Sequence, residues 1–151
     1  MNGFVELQVN GHGGIDFLSA TSVEDIRTAS RSLAQVGVSE YLPTLITSNF
    51  EQLSRAAGFI KEVQENPLDG EARIIGLHLE GPFISHVKCG VHPHNYISDI
   101  DLDYARRLLA VGDVRIMTLA PELQGSKDLI ALLVDSGVVA SLGHSNATLE
   151  E

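Results

Sequence analysis

The sequence predicts an α/β fold in which parallel strands alternate with helices along 151 residues. Three observations lead there. Short apolar runs alternate with longer amphipathic ones, the rhythm of repeated β-α units. The strand-like runs are apolar at most positions and not at every second one, as in parallel strands covered by helices on both faces. Polar or ionisable residues stand where each strand run stops. Two architectures satisfy these features, a doubly wound open sheet and a (β/α)8 barrel. Neither a GxGxxG nor a Walker sequence follows the first strand, which counts against a nucleotide-binding open sheet.

Phe4 to Val9 reads as the first strand. Val23 to Gln35 has helical periodicity, with Ser22 placed to cap it and Gly37 just past its end. Val38 to Leu42 is the second strand, and Asn49 is placed to cap a helix from Phe50 to Val63. Asn66-Pro67 and Asp69-Gly70 mark a turn before the third strand, Arg73 to Leu79. A long loop runs from Gly81 to about Ser98. A helix over Asp101 to Ala110, a fourth strand over Val114 to Leu119, a helix over Ser126 to Ser136 and a fifth strand over Val138 to Leu142 follow. Ser145 or Asn146 then caps a helix that has barely begun at Glu151. The sequence shows no repeat beyond this rhythm, no low-complexity tract and no linker, so residues 1–151 read as one partial domain of about five β-α units.

Ten basic residues against twenty acidic ones leave a net charge of -10, which disfavours a nucleic-acid partner. The same charge means that a phosphorylated ligand would need local positive charge. The single cysteine, Cys89, has no intrachain disulfide partner, which fits a reducing compartment. No apolar run approaches the roughly 20 residues that span a bilayer. The N-terminal residues lack the basic-then-apolar pattern of a signal peptide. The expectation is a cytoplasmic protein without a membrane partner.

The strand ends carry the candidate chemistry: Gln8-Val9-Asn10-Gly11, Pro43 to Thr47, His78-Leu79-Glu80-Gly81-Pro82, Ala120-Pro121-Glu122, and Gly143-His144-Ser145-Asn146. In a parallel barrel such ends converge on one mouth, where active sites lie. Side chains two apart on a strand point the same way, which pairs Gln8 with Asn10 and His78 with Glu80. One polar residue at a strand end is most often a solvated loop residue. Five ends weigh more, because the fold and not the local sequence would bring them together. The loop after the third strand holds His86, Lys88, Cys89, His92 and His94. Long loops in compact domains are functional or disordered. Lys88, His92 and His94 can supply cationic charge for an anionic ligand; the bland alternative is a flexible basic loop. Cys89 has no base placed beside it by sequence and reads as a packing residue, and Glu122 as a residue that closes a turn or bonds a loop amide.

The segments LQVNG (7–11), LPTLIT (42–47), GLHLEGPF (76–83), TLAPE (118–122) and SLGHSNA (141–147) occur in order and at fitting spacing. Together they resemble the N-acetylglucosamine-6-phosphate deacetylase family of the amidohydrolase superfamily, within which HLEGPF and LGHSNA are specific. The resemblance runs over essentially the whole chain. It implies a partial (β/α)8 TIM barrel with one divalent metal ion, zinc, at its mouth. Glu80 and His144 match the family's ligands after strands three and five. Gln8 and Asn10 stand where many amidohydrolases carry a His-x-His that holds a second metal, so a single ion is expected. Gln8 then contacts that ion or its water, with Asn10 and His78 as supporting residues that orient the site. Gly90, Val91 and His92 match a Gly-Ala-His segment that contacts the sugar and its N-acetyl group; Val91 departs from the small residue usual there. His12 is assigned no role. The implied reaction is hydrolysis of the acetamide of an amino-sugar phosphate by metal-activated water, giving glucosamine 6-phosphate and acetate, and the family is often homodimeric.

Family members also carry β-sandwich strands, a third ligand (a histidine after strand six), a catalytic aspartate after strand eight and most of the phosphate site. These have no counterpart in the 151 residues, and Asn2 stands where the family has a proline. No catalytic general base is therefore assigned before Glu151, and the isolated polypeptide is expected to be inactive. Three other readings stand beside this one: an amidohydrolase acting on a different amide, a non-catalytic half-barrel that binds a sugar phosphate, and a truncated fragment with no role of its own.

Overall fold

The computed structural model describes residues 3–150; Asn2 and Glu151 lie outside them. Strand β1 (Phe4–Val9) is followed by a short hairpin, β2 (Gly11–His12) and β3 (Ile15–Asp16), then α1 (Val23–Gln35). Next come β4 (Val38–Ile46), α2 (Phe50–Glu65), β5 (Arg73–Ile74) and β6 (Leu77–Glu80). The chain continues through α3 (Leu102–Leu109), β7 (Val114–Leu119), α4 (Ser126–Asp135) and β8 (Val139–Leu142). The main sheet runs β1-β4-β6-β7-β8, with β5 beside β4, and every pair in it is parallel. Spatial order therefore follows chain order without reversal. A doubly wound sheet reverses its order at a switch point, and a barrel does not. The sheet is a half-barrel with flanking helices.

The helix starts follow the chemistry expected of them. Ser22 accepts the Asp25 N–H while Asp25 returns a bond to the Ser22 N–H, a reciprocal capping box. Asn49 accepts from Gln52 N–H at 2.8 Å, and Asp101 caps α3 through Asp103 and Tyr104. The faces of α1 and α2 that point inward bury Ile26, Leu33, Leu53 and Ile60 against the outer side of the sheet. There Phe17 stacks on Tyr41 with ring centroids 5.9 Å apart.

Four local features differ from the sequence expectation. The second strand runs to Ile46 and not to Leu42, because Pro43 costs only one ladder donor and Thr44 to Ile46 pair with His78 to Glu80. Thr44 Oγ1 accepts the Val9 N–H at 3.0 Å next to that proline. The third strand is broken in two. Gly76 has φ +141°, and a Cβ there would sit 2.2 Å from Arg115 Cγ and 3.0 Å from Asp113 O. Gly11 folds into the hairpin against Ile15, where a Cβ would lie 2.1 Å from Ile15 O. Residues 145–150 form no helix; Ser145 Oγ accepts the Ala147 N–H at 2.9 Å in a tight turn instead. Among the described residues no helix is long and apolar enough to cross a membrane.

Candidate metal centre

Strand β6 carries His78 and Glu80 on one face, and both are buried. Two strands over, beyond β7, β8 ends at Leu142. Gly143 N–H bonds Leu119 O at 3.0 Å, and a Cβ on Gly143 would come within 2.9 Å of Thr118 Cγ2. The chain then turns at His144, which has φ +50° and is the one non-glycine with positive φ among the described residues. That turn brings His144 back over the sheet. Its Nε2 lies 3.0 Å from Glu80 Oε1, across 64 positions of sequence. Its Nδ1 lies 2.9 Å from the carbonyl of Lys88, which selects the Nδ1–H form and aims Nε2 into the site.

His92 comes from the long loop. Its ring is edge-on to His144, centroids 4.5 Å apart, and its Nε2 is 3.9 Å from Glu80 Oε2. Ligating atoms of Glu80, His92 and His144 lie within 4.8 Å of one another, a grouping able to hold a metal ion. One carboxylate with imidazoles suits a borderline divalent ion. The surroundings of His92 separate it from the other two. The Thr47 N–H donates to His92 Nδ1 at 3.3 Å, and Thr47 Oγ1 sits 2.8 Å from the same nitrogen. With Nδ1 accepting, the ring proton stays on Nε2, so His92 faces the cavity as a donor. Burial holds its pKa below the usual histidine value; Glu80 pulls it up and His144 pushes it down. It is a neutral imidazole at neutral pH.

Gln8 reaches across from β1 and donates Nε2–H to Glu80 Oε1 at 2.9 Å. Asn10, Gly90 and Val91 line the same cavity of about 510 Å³. Val91 is largely exposed, and a Cβ at Gly90 would meet His144 Cε1 at 3.6 Å. His78 lies beneath this layer. Its Nδ1 faces Leu7 O at 3.1 Å and its Nε2 bonds Thr118 Oγ1 at 2.8 Å, so it ties β1, β6 and β7 together. Burial lowers its pKa as well. Its third neighbour is Thr44 Oγ1, at 3.5 Å, so its ring bonds the strand framework and leaves the Glu80 carboxylate to other groups.

The rest of the loop differs from its sequence reading. Two short 3₁₀ turns, His86–Lys88 and His94–Tyr96, bring His94 Nε2 within 3.2 Å of Cys89 Sγ and stack His94 on His86. Cys89 therefore does have an imidazole beside it, placed by the turns and invisible in the spacing. Lys88 contributes its carbonyl to His144. The role of Thr47 was missed by sequence reasoning; its only signal was a polar residue at a strand end. Glu122 bonds a loop amide, that of Asn146, at 2.7 Å.

No protein-family model matches the chain. Individual relatives do. It is 40% identical to human N-acetylglucosamine-6-phosphate deacetylase over 155 aligned residues, covering 97% of this chain and 37% of the relative. It is equally 40% identical to N-acetylgalactosamine-6-phosphate deacetylase of Shewanella sp. (strain ANA-3), covering 96% of this chain and 36% of the relative. Among solved structures, N-acetylglucosamine-6-phosphate deacetylase from Pasteurella multocida superposes with a TM-score of 0.87 at 35% identity over 98% of this chain. A variant of the Mycobacterium smegmatis enzyme in complex with N-acetyl-D-glucosamine-6-phosphate gives a TM-score of 0.86, also at 35% identity over 98% of this chain. Both matches cover 38% of the solved chain. The chain thus spans a little over a third of the length of the proteins it resembles, along nearly all of its own.

Proposed function

We propose that this chain is part of the catalytic barrel of an N-acetylglucosamine-6-phosphate deacetylase, forming one partial domain that carries two metal ligands and the acetyl-recognition loop. The observation that carries this reading is the meeting of Glu80 and His144 at 3.0 Å at the mouth of the half-barrel. It is supported by relatives and solved structures that share both the sequence and the fold.

A divalent ion, zinc on this reading, would polarise the acetyl carbonyl and acidify water. Glu80 and His144 would hold it, a carboxylate and an imidazole whose free nitrogen is selected by the Lys88 carbonyl. Gln8 fixes the rotamer of Glu80 through Oε1. His92, neutral and protonated on Nε2, donates toward the acetyl oxygen and stabilises the charge that develops there. Gly90 and Val91 bring backbone up to the sugar, and Asn10 lines the same cavity. His78 sets the height of β6 from below. A third ligand and the proton-transferring carboxylate are assigned to regions that the relatives carry outside the aligned stretch. The substrate is an amino-sugar phosphate, the compartment the cytoplasm, and the assembly a homodimer; a free thiol at Cys89 supports the reducing compartment.

The test is a chimera in which this chain replaces the aligned stretch of a relative. It should release acetate from N-acetylglucosamine 6-phosphate when zinc is supplied. Glu80→Gln or His144→Ala should lower that rate by roughly two orders of magnitude or more, the usual effect of disturbing a metal shell. The 151-residue polypeptide alone should show no turnover. Full rates in either variant would reject the ligand assignment. A second reading keeps the reaction and changes the sugar to the galacto epimer, favoured by the Shewanella relative. Comparing both N-acetyl sugar phosphates in the same chimera separates the two.

A further inference from the structure

The turn that carries His144 is fastened by a side chain that the proposed chemistry does not use. Glu122 lies in the turn just past β7, the strand that pairs with β8. Its Oε2 accepts from Ser145 Oγ at 2.7 Å and its Oε1 from the Asn146 N–H at 2.7 Å. Ser145 Oγ also accepts the Ala147 N–H. Both residues that follow His144 are thereby tied to the end of the neighbouring strand. Main-chain bonds hold the other side, from Gly143 N–H to Leu119 O and from Ser85 N–H to His144 O at 2.9 Å.

Within this frame His144 adopts φ +50°. A left-handed conformation is disfavoured for an L side chain and persists where the surroundings hold it in place. The same conformation is what turns the imidazole back toward Glu80. The carboxylate of Glu122 stays ionised well into the acidic range. Burial alone would raise its pKa, but the Asn146 N–H and Ser145 hydroxyl outweigh that and hold it below the usual value. Two short bonds to an anion are stronger than two neutral ones.

We propose that Glu122 is a positioning residue: it clamps Ser145 and Asn146 so that His144 keeps the left-handed turn that points Nε2 at Glu80, and through this it sets the metal affinity of the site. The idea rests on the reading of His144 as a ligand, so its test has one arm without metal. Zinc affinity is measured in the chimera described above, which supplies the third ligand that this reading assigns outside the chain, by competition with a chromogenic chelator. In parallel, the ¹⁵N shifts of the His144 ring are recorded in metal-free protein. Glu122→Ala should weaken zinc binding roughly 10- to 100-fold and move the His144 ring shifts away from the pattern of an Nδ1–H bonded to a carbonyl. Glu122→Gln keeps the shape and one good acceptor; it should fall between the two, and it carries the test if the alanine variant does not fold. Parent-like affinity with unmoved ring shifts in both variants would overturn the proposal. So would weakened affinity with unmoved ring shifts, since Glu122 would then act by another route. Should the parent bind no zinc, the metal reading fails on its own, and the ring shifts alone decide the role of Glu122.

Discussion

At the scale of single residues, the chain separates groups whose position a strand dictates from groups whose contacts depend on loop paths. Tyr41 belongs to the first kind. It is fully buried on β4, with its hydroxyl 2.7 Å from Ser30 Oγ, which also donates to Ile26 O. Burial pushes the phenol well above its usual value of 10.0. Because the folded-state pKa is raised, the stabilisation is fully present below about pH 10 and is lost as pH rises beyond it, where only the unfolded chain gives up its proton. Tyr41→Phe should cost about 1 kcal/mol at neutral pH, since Ser30 keeps its bond to Ile26. Its urea midpoint should then decline less steeply than the parent's between about pH 9 and about pH 11. Parallel declines would contradict the assignment. His144 takes its direction from the left-handed turn at φ +50° just past β8. Glu80 was legible in the sequence for the same reason as Tyr41: strand register in a parallel sheet fixes where its side chain goes. Thr47 as the partner of His92, and His94 as the partner of Cys89, were not. Their contacts are made by a loop whose two short 3₁₀ turns leave no periodic signature.

At the scale of elements, caps and periodicity located all four helices to within two residues at each end. A fifth helix expected after Ser145 does not form over residues 145–150, and the other errors fell on strands. A proline and a glycine were the misleading residues, for opposite reasons. Pro43 ends a strand only when its missing N–H matters; here the strand goes on because Thr44 to Ile46 pair with His78 to Glu80, while the Thr44 hydroxyl accepts the Val9 N–H. Gly76 reads as one more small residue in an apolar run, yet its φ of +141° breaks the run into β5 and β6. The break lets the chain leave β4 after β5, at Tyr41, and rejoin it as β6 with Glu80 opposite Ile46. Gly76→Ala should therefore destabilise by roughly 1–3 kcal/mol, the range for a backbone region that is essentially glycine-only, with the Asp113 carbonyl 3.0 Å from the new Cβ adding to the strain. Gly70 also has positive φ, at +84°, but open space around it. Gly70→Ala should show the left-handed cost alone, roughly 1–2 kcal/mol. Denaturant melts of the two variants give the comparison, and equal losses would mean that the contacts with Arg115 and Asp113 carry no weight.

At the scale of the whole molecule, a half-barrel has two strand edges where a closed barrel has none. Strands β1 and β8 each pair on one side among the described residues. They also hold apolar side chains out to solvent: Phe4 is 71% exposed, Val139 60% and Leu142 61%. An unpaired edge with an apolar face is a template for another chain. The overall charge of -10 opposes association through mean repulsion. That repulsion is screened within about 8 Å at physiological salt, whereas edge pairing is a contact interaction that salt leaves intact. The edges should therefore win as ionic strength rises. The 151-residue polypeptide is expected to self-associate on concentration, and more so in added salt. Leu142→Lys and Val139→Lys together should reduce the association by placing cations on the β8 edge, although they lower the net negative charge and so weaken the general repulsion. Sedimentation velocity over a dilution series, at low and high salt, discriminates the two causes. Association that grows in the lysine variant would assign control to net charge. Association that falls there would assign it to the open edge.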